Sequence, residues 1–210
     1  MSEEWHVLES AREYETGWYD GGYDLVEQPD GSSKRYYWAE LAPAVVVVGL
    51  VDGEHVEGES TVGGGTDGDV AASQPHVVFV EQFRPTIRET QLELVAGIVD
   101  EHDGTPAEPV EPTAYETAAR RELREETGYV ADDVTLLQSY AVATGVLRHR
   151  RGIVVATGLT PGDPDLDDNE FLSVDHVPVE DALAVAREPP TNDATVEGLL
   201  LAEADGYLAD

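Results

Sequence analysis

A helix over residues 112–128 has only one way to pack. Pro112 suits a first helical turn, where its missing N–H costs nothing. Gly128 suits the left-handed position that ends a helix. Between them Tyr115, Ala118, Ala119 and Leu123 make a narrow apolar stripe, so the helix must lie on a sheet with its polar rows at the margin. One of those rows carries chemistry. In Arg121-Glu122-Leu123-Arg124-Glu125-Glu126-Thr127-Gly128-Tyr129 the glutamates fall at i, i+3 and i+4, positions that share a helix face and let the carboxylates converge on one point. Carboxylates roughly 6 Å apart repel by about 3 kcal/mol per pair at an effective dielectric near 20, and by under roughly 1 kcal/mol in open water. A divalent cation removes that repulsion, because hard cations take several carboxylate oxygens. The competing reading is a solvated acidic face.

Composition makes that competing reading worth weighing. The 210-residue chain has 44 Asp+Glu against 12 Lys+Arg, a formal net charge of −32. Lys34 is its single lysine, and the acids are spread along the whole length. A basic partner is one account of such a surface; a salt-rich cytoplasm, where screening tolerates self-repulsion, is the other. Even distribution and lysine scarcity favour the halophilic account. The same charge argues against nonspecific binding to nucleic acid. No cysteine is present, which excludes disulfides, thiolate metal sites and cysteine nucleophiles. With no apolar leader and no run near the ~18 apolar residues of a membrane span, a soluble cytoplasmic protein with no membrane partner is expected.

The remaining pattern is mostly strand. Residues 5–41 alternate polar and apolar positions, with Tyr23-Asp24-Leu25-Val26 and Lys34-Arg35-Tyr36-Tyr37-Trp38 flanking a turn at Gln28-Pro29-Asp30-Gly31. Residues 44–51 are a continuous β-branched run, hence a buried strand, with 76–80 as its partner across a glycine-rich insertion. Gly63-Gly64-Gly65 in that insertion is no phosphate loop, since no Gly-Lys-Ser/Thr follows. A short apolar segment at 92–99 leads to an exposed loop, and further strands are expected at 134–140, 152–159 and 171–177. Helices at 179–187 and 194–208 close the chain. The order of strands, helix, strands, helices predicts a mixed α+β sandwich.

Arg-Glu-Leu-x-Glu-Glu-x-Gly-Tyr resembles the second half of the Nudix box, Gly-x5-Glu-x7-Arg-Glu-U-x-Glu-Glu-x-Gly-U with U apolar, and Gly97 stands where its first glycine belongs. Given Arg121, Leu123 and Gly128 around the glutamates, the metal-site reading outweighs the solvated face. Glu81-Gln82-Phe83-Arg84-Pro85 and Leu92-Glu93-Leu94-Val95-Ala96-Gly97 are similar to the Q-x-R-P and L-E-x-x-A-G runs of the ADP-ribose pyrophosphatase branch. The resemblance implies a Nudix-fold α/β/α sandwich with a mixed sheet over residues 43–210, insertions at about 52–75 and 100–112, and an antiparallel β extension at 1–42 that forms a homodimer.

It also implies Mg²⁺ (or Mn²⁺) dependent hydrolysis of a nucleoside diphosphate sugar, ADP-ribose first, to AMP and ribose 5-phosphate. A GDP- or UDP-sugar pyrophosphatase and an inactive Nudix-fold nucleotide-binding module are the alternatives. By the same resemblance Glu122, Glu125, Glu126 and the Ala96 carbonyl are metal ligands, and Gly97, Arg121 and Gly128 are structural parts of the box. Arg84 is a phosphate clamp, since a guanidinium matches phosphate oxygens bidentately. Glu93 orients the loop or meets the ribose, and Arg148, in the basic cluster Arg148-His149-Arg150-Arg151, meets substrate phosphates, with the partner subunit as the alternative contact of that cluster. Glu125 and Glu170 are the catalytic candidates, with Asp167 and Asp168 as further possible bases.

The box departs from its pattern in one respect. Gly97 to Arg121 spans twenty-four positions, about ten more than the motif, so its first glutamate falls on Thr113, with Glu111 or Glu116 as substitutes.

Overall fold

The computed structural model describes residues 4–56, 74–100, 105, 108–166 and 171–208. Three strands come first: β1 (His6–Glu15), β2 (Tyr19–Glu27) and β3 (Ser33–Leu41), an antiparallel meander. The β2–β3 turn is closed by Gln28 N–H to the Ser32 carbonyl at 2.8 Å, while the Asp30 carboxylate accepts from Ser32 N–H at 2.9 Å. Gly31 takes the positive φ of 81° that this turn demands. Both faces of the meander expose large aromatic side chains, Trp18 being 77% exposed.

The second sheet holds six strands: β4 (Ala44–Val51), β5 (His76–Arg84), β6 (Glu89–Ile98), β7 (Val130–Ala141), β9 (Arg150–Thr160) and β10 (Leu172–Pro178). Its order is β10-β5-β6-β4-β9-β7. Only β4 and β9 run parallel; the other pairs are antiparallel, so the sheet is mixed. The two-residue strand β8 (Leu147–Arg148) leaves this body to pair parallel with β3 of the meander.

The continuous valine run of β4 has a direct reason: its two faces are both buried. Val45 and Val47 join Val78, Val80, Val95 and Val154 beneath helix α1 (Pro112–Thr127), whose Tyr115, Ala118, Ala119 and Leu123 are fully buried. Val46 and Val48 face the opposite way, joining Phe79, Leu94 and Ile153 beneath α2 (Val179–Ala186) and α3 (Asp193–Ala204). The result is the α/β/α sandwich expected, with α1 alone on one face.

Pairing changes partner halfway along β4. Residues 44–47 pair with β6, while residues 49–51 pair with β5. Near that switch the Leu94 N–H is taken by Thr195 Oγ1 of α3 at 3.1 Å, so a helix side chain fixes strand backbone. Among the described residues no helix is long and apolar enough to cross a membrane.

Candidate active site

Helix α1 is closed at its C-terminal end by backbone and by Thr127, whose Oγ1 donates to the Leu123 carbonyl and accepts from Tyr129 N–H at 3.2 Å. Gly128 is left-handed (φ 79°) and its N–H closes on the Arg124 carbonyl at 2.9 Å. A Cβ there would also stand 2.5 Å from the Gly162 carbonyl oxygen, closer than real atoms approach. Asp165 N–H donates to the Glu125 carbonyl at 2.9 Å, which ties the segment after β9 to the last helical turn.

The glutamate row divides by burial. Glu122 and Glu126, one turn apart, are 8% and 6% exposed, whereas the Glu125 side chain is 37% exposed. Burying a carboxylate costs several kcal/mol unless charge compensates it. Arg121 provides part of that compensation: its Nη1 donates to Glu122 Oε1 at 2.8 Å and lies 3.6 Å from Glu125 Oε2. Its Nη2 donates to the Ile98 carbonyl at 2.8 Å and lies 3.3 Å from an Asp100 oxygen. Arg121 therefore braces the loop after β6 against the helix.

Motif spacing points to Glu111 or Glu116 as the acid that meets this arginine. The structure puts Asp100 there, while Glu116 accepts from Leu136 N–H of β7 at 3.4 Å and Glu111 makes no side-chain cap bond. A substitute more than ten residues from its motif position is invisible to spacing.

The expected convergence of the three carboxylates on one point is corrected in part. Among the described residues no group of three or more His, Asp or Glu stands gathered around a common point. The guanidinium of Arg121 lies between Glu122 and Glu125 and compensates each. Gly97 shows why Glu122 nonetheless sits so deep: a Cβ at residue 97 would fall 1.9 Å from the Glu122 carboxyl carbon. The donor set suits a hard divalent cation, offering carboxylate oxygens beside a cradle that any side chain at 97 would fill.

A cleft of about 240 Å³ has Arg84, Glu93, Ala96, His149, Arg151 and Asn192 among its walls. Arg84 reaches Glu93 Oε2 through Nε at 2.9 Å and again through Nη2, and Gln82 donates to the same oxygen at 3.3 Å. Glu93 thus holds one edge of the guanidinium, leaving the Nη1 edge as the one a phosphate can meet. Arg151 is paired with Asp193 at 3.1 Å and Glu197 at 3.5 Å. The start of α3 also reaches the cleft, a placement that the motifs do not foretell. Asn192 is its N-cap, accepting from Thr195 N–H at 2.9 Å, and that Asn-x-x-Thr cap is the signal the sequence offers.

Arg148 does not join Arg84 in the cleft walls. It pairs with Asp24 of β2, lies 3.7 Å from Glu40 of β3 and stacks over the Trp38 ring at 4.0 Å. Burial pushes the Asp24 carboxyl up, but bonds from Ser10, Arg148 and Trp38 outweigh it and hold the group below the usual range. The geometry gives the expected substrate contact at Arg148 no support: its charge is engaged by the meander. The neighbouring His149 does line the cleft, with Nδ1 on the Ala42 carbonyl at 2.8 Å. Glu170, Asp167 and Asp168 lie outside the described residues.

A helix carrying buried glutamates on one face of a mixed sheet, braced by an arginine from its own box, defines a hydrolase of the Nudix class. The NUDIX domain family matches residues 69–198, more than half of the chain, and the chain belongs to that family. It is 28% identical over 171 residues to the ADP-ribose pyrophosphatase of Bacillus subtilis (strain 168), covering 80% of this chain and 76% of that protein. Against the ADP compounds hydrolase NudE of Escherichia coli (strain K12) it is 29% identical over 119 residues, 57% of this chain and 59% of that one. The methanol dehydrogenase activator of Bacillus methanolicus is 29% identical over 173 residues, 81% of this chain and 77% of that one. A solved structure described as an ADP compounds hydrolase superposes with a TM-score of 0.73 at 20% identity, over 97% of this chain and 96% of that chain, and shares the fold.

Proposed function

We propose that this Nudix hydrolase is a Mg²⁺-dependent pyrophosphohydrolase of nucleoside diphosphate sugars, with ADP-ribose, cleaved to AMP and ribose 5-phosphate, as its first substrate. The observation that carries the reading is the pair of buried carboxylates, Glu122 and Glu126, on one face of the helix, with Glu122 seated against Gly97. The Arg84–Glu93 pair, in a cleft that Ala96 also lines, is read as the phosphate end of the same site. Similarity to an ADP-ribose pyrophosphatase over most of both chains supports the choice of substrate.

Glu122, Glu125, Glu126 and the Ala96 carbonyl hold the cation in this reading. When bound, a divalent cation neutralises pyrophosphate charge and lowers the pKa of an attacking water. The protein's own groups do the rest. Arg84 takes the phosphate through its open edge, and Glu93 keeps that guanidinium in place. Glu125, the most exposed of the three carboxylates, or Glu170 accepts the water's proton. Arg121 compensates Glu122 and holds it in position. The exposed aromatics of the meander fit a homodimer built on residues 1–42, and the acidic surface fits a salt-rich cytoplasm.

A second reading has an observation in its favour: Thr113 replaces the first box glutamate, and among the described residues no trio of acids is gathered at one point. Those features suit a nucleotide-binding module without turnover. Product analysis of ADP-ribose at high KCl, with and without Mg²⁺, separates the two. AMP formed only with the metal supports the hydrolase. Silence there and across GDP- and UDP-sugars, with nucleotide still bound, supports the module.

A further inference from the structure

The part of the cleft wall formed by His149 and Asn192 is chemically unlike a phosphate site. His149 donates from Nδ1 to the Ala42 carbonyl at 2.8 Å. A carbonyl can only accept, so Nδ1 carries the hydrogen and Nε2 of the neutral ring is a lone pair. Burial pushes this imidazole's pKa down, the Ala42 and Leu41 carbonyls pull it partly back, and Arg151 lowers it again. The loop bearing His149 is fixed from behind. Ala39 N–H donates to the Val146 carbonyl at 2.9 Å, Leu147 and Arg148 pair with β3, and Arg148 stacks on Trp38.

Asn192 supplies the opposite polarity. Its Oδ1 is committed to Thr195 N–H at 2.9 Å, which fixes the orientation of the amide, so Nδ2 must be the other end. That Nδ2 is buried and makes no hydrogen bond with any of the described residues. An unsatisfied buried donor costs about 1–3 kcal/mol. The remaining cation of this wall, Arg151, is already shared by Asp193 and Glu197.

We infer that His149 and Asn192 form a subsite for the hydroxyls of the substrate's sugar, His149 Nε2 accepting from a hydroxyl and Asn192 Nδ2 donating to one. A hydroxyl is both donor and acceptor, so it satisfies this pair, whereas a phosphate oxygen would set lone pair against lone pair at Nε2. The anionic part of the substrate is left to Arg84 and the carboxylate-bound cation. The inference rests on reading the cleft as the substrate site.

The test is calorimetric binding of ribose 5-phosphate and of its 2-deoxy and 3-deoxy analogues to the full chain, wild type, His149→Phe and Asn192→Asp. Aspartate retains the helix cap but removes the donor, so the second variant keeps the fold even if the first does not. Thermal melting checks both. Loss of one hydroxyl should weaken wild-type binding about tenfold, and that preference should vanish in both variants. Equal affinity for all three sugars, absence of ribose 5-phosphate binding at millimolar concentration, or a preference that survives in either folded variant overturns the inference. Sugar binding needs no turnover, so a failure of ADP-ribose hydrolysis would sink the proposed activity while leaving this readout intact.

Discussion

The carboxyl carbon of Glu122 lies where a side chain on residue 97 would have to begin, 1.9 Å from the Cβ that Gly97 lacks. A buried carboxylate and a bare strand backbone thus define one another's place. Gly97→Ala must therefore push Glu122 or the β6 backbone aside. Overpacking of this kind costs typically about 1–3 kcal/mol. Melting temperature should fall, and turnover should fall further than stability alone explains. A variant with wild-type activity would show that Glu122 can move without consequence.

Glu125→Gln and Glu126→Gln change charge with almost no change of shape. Each should reduce turnover by at least about 100-fold, the scale of removing a group that acts on developing charge, while circular dichroism remains that of the wild type. Activity retained in either variant would take that residue out of the mechanism.

Arg84 makes its fixed contacts through Nε and Nη2 to Glu93. If its other edge contributes uniform binding, Arg84→Ala raises KM more than it lowers kcat. Glu93→Gln, which loosens the guanidinium without removing it, should produce a smaller rise. Steady-state kinetics on ADP-ribose decides; an unchanged KM in Arg84→Ala would reduce the residue to a structural one.

His176 is buried against Tyr129, its Nε2 2.9 Å from the phenol oxygen. Burial pushes its pKa down, Asp175 opposes that, and His76 adds to it. The unfolded chain therefore binds this proton first as pH falls below the ordinary value of 6.5, and stability is lost from there down to the folded pKa. The slope is at most about 1.4 kcal/mol per pH unit for one proton. His176→Gln should flatten the decline of melting temperature in that window. A decline identical to the wild type's would assign acid sensitivity to the carboxylates instead.

What is legible in the sequence is what leaves a local trace. Pro112, Gly128 and the stripe from Tyr115 to Leu123 bound α1 by residue type and spacing, and the valines of β4 announce a strand covered on both faces. The partners that complete the site leave no such trace. Arg148 meets Asp24 across 124 positions of chain, and Asp100 takes up Arg121 from a lengthened loop. Thr195 reaches Leu94 across 101 positions, and no periodicity encodes a helix hydroxyl that replaces a rung of a sheet. Such contacts are set by how layers stack, and only the folded chain displays them.

The alternation of side chains along β4 keeps two tasks on opposite faces of one sheet. The carboxylates ride on α1, while Asn192 and Asp193 reach the cleft from α3, across the sheet and in a different core. Residues at the mouth of α3 can thus be exchanged without disturbing the packing that seats Glu122 and Glu126. For this chain, a new appetite and a working engine are separable inheritances.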